Sequence, residues 1–312
     1  MTLAELATQL ATPQVRALAW LIGSPGVLDA RNAQFGERVV ADAWCAEAFE
    51  AATPWLLALD REPAPLLEFL AARTSRRVGR LAEALLSYWL RWRPGVELVA
   101  ENLAVRGAQS TLGEFDFVFR EPGQVQATHW ETAVKFYLYR PEVGGLGGYA
   151  GPTGKDVLAA KTARIFDRQL TLGTTQEGAE ALKKLGVNDL LTQAWVKGWL
   201  FYPIGQSAVA APGTNPQHSR GWWLRHGPQW AQALDAGKRY AVLPRLDWLV
   251  WPWMAAEAGT ETLQSLARLV DLRMAAESES LLVVELMENA GRWIEHSRGF
   301  IVPADWGTAT PA

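Results

Sequence analysis

The chain has 312 residues and a formal net charge of −3, and 49% of its residues are hydrophobic. This is an ordinary globular composition with ample material for a packed core, and it counts against binding nucleic acid through a broad positive field. The single cysteine, Cys45, excludes an internal disulfide framework, and no apolar stretch approaches the roughly 20 residues that a membrane span needs.

The first part of the chain, residues 1–75, is predicted to be helical. It begins without the basic and apolar runs of a secretory signal, so we expect a soluble cytoplasmic protein with no membrane partner. Apolar residues recur there at a spacing of three to four, between interrupting prolines. The same spacing is sharper from Val78 to Leu90, which predicts an amphipathic helix that stops before Pro94 and Gly95.

Three strands are predicted next, at residues 96–105, 111–119 and 128–139, because polar and apolar residues alternate there. A glycine-rich loop follows at 144–154. A helix is then predicted from about Lys155 to about Leu172.

That helix has a candidate capping box in Thr153 and Asp156. A further strand is predicted at 194–204. The order helix–strand–strand–strand–helix–strand predicts an α/β fold with a mixed sheet flanked by helices.

The C-terminal part is predicted to be a mixed α+β region. A strand is expected within 239–251, a helix at 260–277 and a hairpin at 281–303 that turns near residues 289–291. The predicted domain organisation is therefore an N-terminal helical segment at 1–75, a core at 76–205 and a tryptophan-rich region at 206–312 packed on that core.

The second strand carries acids on one face and aromatic residues on the other. Side chains two residues apart share a face of a strand, so Glu114 and Asp116 are expected to point away from the core. The opposite face then holds three aromatic residues, namely Phe115, Phe117 and Phe119.

The third strand repeats this arrangement with a second acid and a lysine. Glu131 and Lys135 fall on one face, together with His129 and Ala133, and Trp130 falls on the other. Two neighbouring strands of this kind would present carboxylates and an amine from one surface, which suits a divalent metal and a phosphate. A structural ion pair between Glu131 and Lys135 at the sheet edge is the competing interpretation.

The order of elements and these residues resemble the core of the PD-(D/E)XK nuclease-like superfamily over residues 76–205. The chain as a whole resembles uncharacterised bacterial families of that superfamily, which carry HWE-x-A-VKF and GP-x-x-x-D segments. The resemblance implies a restriction-endonuclease-like fold and a Mg²⁺- or Mn²⁺-dependent nuclease. It assigns Asp116 and Glu131 as metal ligands, Lys135 as the catalytic lysine and Glu83 as the acid of the preceding helix.

The chain departs from the superfamily in the spacing of its second acid and lysine. The superfamily usually places one residue between them, and that acid position here is Ala133, so the acid moves back to Glu131. Two residues of strand span roughly 6.6 Å, so the two groups stay on one face but lie farther apart. Either Glu131 still reaches a metal held by Asp116, or the site is altered or lost.

The helix after the glycine loop offers a nucleic-acid-binding surface. Lys161, Arg164 and Arg168 fall on one stripe and would follow a phosphate backbone. Gln169 lies within the apolar stripe, so it is expected to face the sheet near the metal site and to need a polar partner there. A solvated face with one internal hydrogen bond explains the same pattern.

Three functional hypotheses follow from the sequence. The first is a Mg²⁺-dependent nuclease acting on DNA or RNA. The second is a non-catalytic module with a degenerate nuclease site, which binds nucleic acid or protein. The third is an enzyme of another class that stacks a sugar or base on the late tryptophans, among the sixteen of the chain. The sequence leaves open whether the protein is an enzyme and which oligomeric state it adopts.

Overall fold

A mixed β-sheet lies at the centre of the computed structural model, which describes residues 1–73, 75–206, 209–255 and 259–308. Ten strands of this sheet belong to the described residues. They are β1 (Glu97–Arg106), β2 (Thr111–Arg120), β3 (Ala127–Tyr139), β4 (Tyr149–Ala150), β5 (Leu190–Pro203), β6 (Ser219–Arg225), β7 (Arg239–Val242), β8 (Met254–Ala255), β9 (Leu281–Asn289) and β10 (Arg292–Val302).

The strand order is β1-β2-β3-β5-β6-β10-β9-β7, with β4 on β3 and β8 on β10. The β1–β2–β3 meander is antiparallel, β3, β5, β6 and β10 run parallel to one another, and β10–β9–β7 is antiparallel again. The prediction of a mixed sheet in an α/β fold is therefore confirmed. The strands of the C-terminal part extend the same sheet as β1, β2, β3 and β5.

Helices cover both faces of the sheet. Among the described residues, no helix is both long enough and apolar enough to cross a bilayer. The helices are α1 (Leu3–Gln9), α2 (Pro13–Gly23), α3 (Asp42–Arg61), α4 (Ala64–Ala71), α5 (Val78–Trp92), α6 (Leu158–Arg164), α7 (Gln176–Lys183) and α8 (Leu263–Glu277).

Alternation along β3 divides the core into two layers. Trp130, Phe136 and Leu138 pack with the N-terminal helices α1 to α5, whereas Ala133 and Tyr137 pack on the other face with α6. The site described below lies where α5 and α6 approach the same stretch of β3 from opposite sides.

The strand β2 departs from the predicted alternation at Phe115. Phe117 and Phe119 pack with the N-terminal helices as expected, but Phe115 packs on the opposite side with Val118. The prediction that all three phenylalanines share a face was therefore wrong. The break coincides with a left-handed residue on β1, Asn102 at φ 49°, which lies between the residues paired with Phe115 and Phe117.

The helix predicted from Lys155 begins later and changes character. It starts at Leu158 after an N-cap residue, Val157, that makes no side-chain hydrogen bond. The predicted capping box was wrong, because the Asp156 carboxylate instead accepts hydrogen bonds from Lys135 and Tyr137 of β3. After Arg164 the helix widens into one π-helical turn, Ile165–Gln169.

The C-terminal elements agree in part with the sequence patterns. The predicted helix and hairpin are confirmed as α8 and as β9 with β10. The strand expected within 239–251 covers only Arg239–Val242, and a 3-10 turn, Arg245–Leu249, follows it. The strand β6 was not predicted.

Candidate functional site

The strands β2 and β3 separate next to Asp116. Their backbone pairing runs from Arg120 and Ala127 to Phe117 and Trp130. Beyond that point the Asp116 carboxylate, rather than the backbone of β2, bonds to β3. Its Oδ2 atom accepts hydrogen bonds from the backbone N–H of Thr132 at 2.8 Å and from the Thr132 hydroxyl at 3.0 Å. One carboxylate oxygen of Asp116 is thereby fixed against β3.

A cavity of about 180 Å³ opens at the edge of β3 exposed by this separation. Thr132 and Val134 line it from one face of β3, and Ala133 and Lys135 from the other. Residues of both faces can meet in one cavity only at the edge of a strand. The other lining residues come from α5, α6 and β5: Gly79, Ala82, Glu83, Leu86, Lys161 and Trp195. We call this cavity the strand-edge notch.

Glu131 lies buried beside the notch with one oxygen bound and one oxygen unpartnered. Its side chain is 2% exposed, and its Oε1 atom accepts a hydrogen bond from the Gln169 side-chain amide and lies 3.6 Å from Lys161 Nζ. Its Oε2 atom is buried and has no hydrogen-bond partner among the described residues. A buried carboxylate oxygen without a partner costs free energy and marks a position where a further group fits.

The π-helical turn brings Lys161 and Gln169 onto the same side of the helix. These residues are eight positions apart, and eight residues of regular α-helix would rotate the second well away from the first. A π turn adds one residue, so the separation acts as about seven α-helical steps, close to two full turns. The bond from Lys161 Nζ to Gln169 Oε1, at 3.3 Å, shows the alignment.

Burial raises the pKa values of three acids at or beside the notch, and the Asp116 charge adds to the effect for two of them. For Glu131, burial and then the Asp116 charge raise the pKa to about 8, against the opposing effect of Lys161. Burial raises the pKa of Asp116, although its bonds from Thr132 act in the opposite direction. Burial also raises the pKa of Glu83, which the Arg80 guanidinium, at 2.6 Å, partly offsets.

Lys161 is the amine in direct contact with Glu131. Burial lowers its pKa, and the Glu131 charge opposes that effect. Lys135 instead forms a 2.6 Å ion pair with Asp156, whose Oδ2 also accepts the Tyr137 hydroxyl at 3.1 Å. The prediction placed Lys161 on a phosphate-binding stripe and Lys135 at the acids, whereas the structure puts both amines on the notch and only Lys161 against Glu131.

The remaining predicted residues occupy the expected elements. Glu83 lies on α5 and lines the notch. Gln169 faces the sheet as expected, and its polar partner there is Glu131, to which its side-chain amide donates a hydrogen bond. Arg164 and Arg168 are exposed on the outer side of α6 and its π turn. Glu83 and the two lysines therefore line one cavity, Asp116 and Glu131 lie next to lining residues through Thr132 and Lys161, and the two arginines lie outside.

Sequence reasoning missed three contributors: Thr132, Asp156 as the partner of Lys135, and Lys161 as the partner of Glu131. The GP-x-x-x-D segment, which ends at Asp156, could have indicated one of them, namely Asp156.

His129, next to Glu131 on the same face, is buried with both ring nitrogens unpartnered among the described residues, and burial lowers its pKa to about 4. Its ring contacts Phe115 edge-on at 4.9 Å, which is a packing role.

The donor set at the notch suits a hard cation that needs few protein ligands. Within the described ranges, no group of three or more His, Cys, Asp or Glu side chains is arranged to hold a metal. Mg²⁺ needs less, because one or two carboxylates suffice when water and substrate phosphate complete its shell. Asp116, and Glu131 through its unpartnered oxygen, fit that requirement.

Comparison with known proteins gives one family assignment. No curated protein matches the sequence, and no solved structure does. One family model, described as "Domain of unknown function (DUF1853)", matches residues 16–302. Since this match covers most of the chain, the protein belongs to the DUF1853 family.

Proposed function

We propose that this protein is a metal-dependent nuclease that hydrolyses phosphodiester bonds on a PD-(D/E)XK-like core. The observation that carries the proposal is the buried Glu131 oxygen without a partner, close to Asp116 and beside a notch that two lysines line. Catalytic sites are places where burial and neighbouring charges shift pKa values, and three acids and one lysine do so here.

The order of elements supports membership of the PD-(D/E)XK superfamily. Helix α5, the meander β1–β2–β3, helix α6 and strand β5 follow one another along residues 78–203. The acids of this motif come from the second strand, the third strand and the preceding helix, as Asp116, Glu131 and Glu83. This is the restriction-endonuclease-like arrangement that we propose for the core.

Asp116 and Glu131 would hold Mg²⁺ or Mn²⁺. The bound ion would lower the pKa of a water ligand and stabilise negative charge on the scissile phosphate. Thr132 fixes one oxygen of Asp116, and Gln169 occupies one oxygen of Glu131, so each carboxylate keeps one oxygen for a ligand. These two neighbours orient the acids before anything binds.

The lysines would act on the substrate phosphate. Lys135 and Lys161 both line the notch, and ammonium groups near a phosphate neutralise the charge that grows as the bond breaks. Lys161 also offsets the charge of Glu131. We therefore assign it a role that the superfamily resemblance gave to Lys135 alone.

A divalent-dependent cleavage assay tests the proposal. The purified chain is incubated with single-stranded, double-stranded and branched DNA and RNA, in EDTA and in excess Mg²⁺ or Mn²⁺. We expect cleavage only with the metal, reduced at least about 100-fold in Asp116→Asn, since charge stabilisation of this kind supplies several kcal/mol.

Matched controls remove equivalent groups elsewhere. Glu177→Gln and Lys183→Met change exposed residues of α7 and should keep wild-type cleavage. Cleavage that persists unchanged in both Asp116→Asn and Lys161→Met would assign the activity to a contaminant and reject the proposed site.

A non-catalytic binding module on the same scaffold is the second candidate. Two observations favour it: the ion pair that ties Lys135 to Asp156, and the lack of a three-ligand metal group among the described residues. It predicts oligonucleotide or protein binding that neither EDTA nor Asp116→Asn alters, with no cleavage in any metal. The third hypothesis stays a proposal: among the late tryptophans, Trp223, Trp230 and Trp248 are buried. Three others are only partly buried, namely Trp222, Trp251 and Trp253.

A further inference from the structure

Three adjoining cavities form a groove along α5 that ends at the strand-edge notch. The outer cavity measures about 640 Å³ and the middle one about 420 Å³. They share Arg73, Ser75 and Ala84, and the middle cavity shares Glu83 with the notch. Because neighbouring cavities share lining residues, they adjoin one another along α5, and we call the three together the α5 groove.

The outer cavity combines an apolar floor with a basic rim. Arg73 and Arg76 belong to its lining, and both are exposed. The Arg76 guanidinium makes no hydrogen bond or ion pair within the described part of the chain, and the neighbouring Arg77 side chain makes none there either. The floor is made of Leu67, Leu70, Leu81, Leu85, Leu246 and Val250.

Two acids in the groove wall form ion pairs with arginines. Glu83 pairs with Arg80 at 2.6 Å. Glu101 pairs with Arg91 at 2.6 Å and accepts a hydrogen bond from Ser87. Arg73 also lies 3.8 Å from Glu101, and Asp247 lines the outer cavity. Within the described residues, the rim cations without an ion pair are therefore Arg76 and the neighbouring Arg77, in a chain whose net charge is −3.

Positive charge also continues beyond the notch. Arg164 and Arg168 are exposed on the far side, and the Arg164 charge is felt at both Glu131 and Lys161. A chain of phosphates entering along α5 and leaving over α6 would meet cations on both sides of the acids. Such a charge distribution complements an extended polyanion.

We propose that the α5 groove binds single-stranded nucleic acid, with phosphates along its arginine rim and an unstacked base in the outer cavity. This inference rests on the proposed function, which places the scissile phosphate at the notch. The Glu131 side chain is 2% exposed behind a 180 Å³ cavity, so a phosphate must enter a confined space. A duplex is stiff and keeps its bases paired inside, whereas a single strand bends and offers its bases to apolar surfaces.

Binding in EDTA tests the groove without any cleavage. Fluorescence anisotropy of the full chain is measured with labelled single-stranded DNA, single-stranded RNA and duplex DNA of one sequence. We expect the single strands to bind at least about ten-fold more tightly than the duplex, since only they can use the apolar cavity. Single-stranded DNA and RNA are both tested because both carry the phosphates and unstacked bases that the groove is proposed to bind.

Two variants separate the two parts of the groove. The double variant Arg76→Ala/Arg77→Ala should weaken binding and reduce the slope of log K against log salt by about 0.7 per arginine removed. Leu67→Ser, on the apolar floor, should weaken single-strand binding about three-fold or more and leave that slope unchanged. Arg268→Ala/Arg273→Ala removes two exposed arginines of α8 and should bind like the wild type.

The inference is overturned if duplex DNA binds as tightly as the single strands. It is also overturned if Arg268→Ala/Arg273→Ala loses as much affinity as Arg76→Ala/Arg77→Ala. These outcomes leave the nuclease proposal standing, because the binding measurements contain no metal. Conversely, single-strand binding that the groove variants weaken, in a protein that cleaves nothing, supports the groove and rejects the nuclease.

Discussion

Glu131 couples the candidate site to the stability of the fold. Its pKa rises to about 8 in the folded chain from an ordinary value of 4.5, mainly because the side chain is buried. The folded chain therefore keeps a proton that the unfolded chain releases between these two pH values. Metal binding at this carboxylate would have to displace that proton, so affinity for Mg²⁺ should increase with pH.

The first prediction concerns the pH dependence of unfolding. A folded pKa above the unfolded one means that stability is full below pH 4.5 and falls as pH rises through about 8. At 1.36 kcal/mol per pKa unit, the loss is up to about 5 kcal/mol. Glu131→Gln cannot ionise and should lack this fall. Urea unfolding of both proteins at pH 5 and pH 8 in EDTA measures it, and parallel curves would refute the burial argument.

The second prediction distinguishes the two lysines. Lys161 lies 3.6 Å from Glu131, so Lys161→Met should raise the pKa of Glu131 further. The midpoint pH at which the cleavage rate rises should then increase by about one unit. Lys135→Met should leave that midpoint in place, because the Lys135 amine contacts Asp156. The measurement is the pH profile of Mg²⁺-dependent cleavage. An equal shift in both variants would show that the two lysines are equivalent.

At this scale the sequence predicts faces but not contacts. Alternation along β3 correctly places Glu131 and Lys135 on one side of the strand. It cannot show that Asp156, from a distant loop, takes the Lys135 amine. It also cannot show the extra residue of the π turn that brings Lys161 and Gln169 to Glu131, because a helical pattern looks the same with or without it.

Among the elements, the parallel pair β3–β5 holds the notch in place. Gly198 of β5 lies opposite Lys135, with φ at +153°, and a Cβ added there would lie 1.8 Å from the Lys135 carbonyl oxygen. The backbones can pair this closely only because residue 198 has no side chain. The position of Lys135 at the notch thus depends on a glycine in the neighbouring strand.

The third prediction follows from that contact. Gly198→Ala forces β3 and β5 apart and should lower the free energy of unfolding by at least about 3 kcal/mol, at the upper end of overpacking costs. Gly79→Ala is the control: an added Cβ there meets nothing within 4 Å in the first turn of α5. It should leave stability unchanged or raise it by up to about 1 kcal/mol. Urea titration gives both values, and an equal, small effect would contradict the close approach.

The long elements were predictable because their polar and apolar residues recur at a regular spacing. The helix α5 and the strands β2 and β3 lie close to the limits expected from sequence. The strand β6 was missed because it pairs with β5 on one side and with β10 on the other, both in parallel. A strand inside a parallel sheet has both faces covered and loses alternation, and the adjacent Trp222 and Trp223 illustrate this.

At the scale of the whole molecule, the three predicted segments contribute to one hydrophobic cluster. Leu18 from the N-terminal helices, Leu86 from α5 and Phe300 from β10 all belong to it, and each is at most 1% exposed. The sheet also runs without a break from β5 through β6 into β10. Sequence patterns are local and give no measure of such long-range packing, so the cluster could not be predicted from them.

The last prediction tests this shared core by truncation. A chain ending at residue 206 retains β1 to β5 but removes β6, which pairs with the Trp199–Pro203 part of β5 in the full protein, and it leaves that part as an exposed edge. Open edges with apolar faces associate with other chains. We expect the truncated chain to aggregate in size-exclusion chromatography and to lose its cooperative thermal transition.

A chain ending at residue 308 retains every described element and serves as the control; it should unfold in one transition at the wild-type midpoint. Near-ultraviolet circular dichroism follows the buried tryptophans in both proteins. If the 206-residue chain instead stays monomeric and melts cooperatively, the core at 76–205 folds with the N-terminal helices alone. The tryptophan-rich region would then be an addition to the sheet, because the packing of Phe300 against the cluster would not be needed to form it.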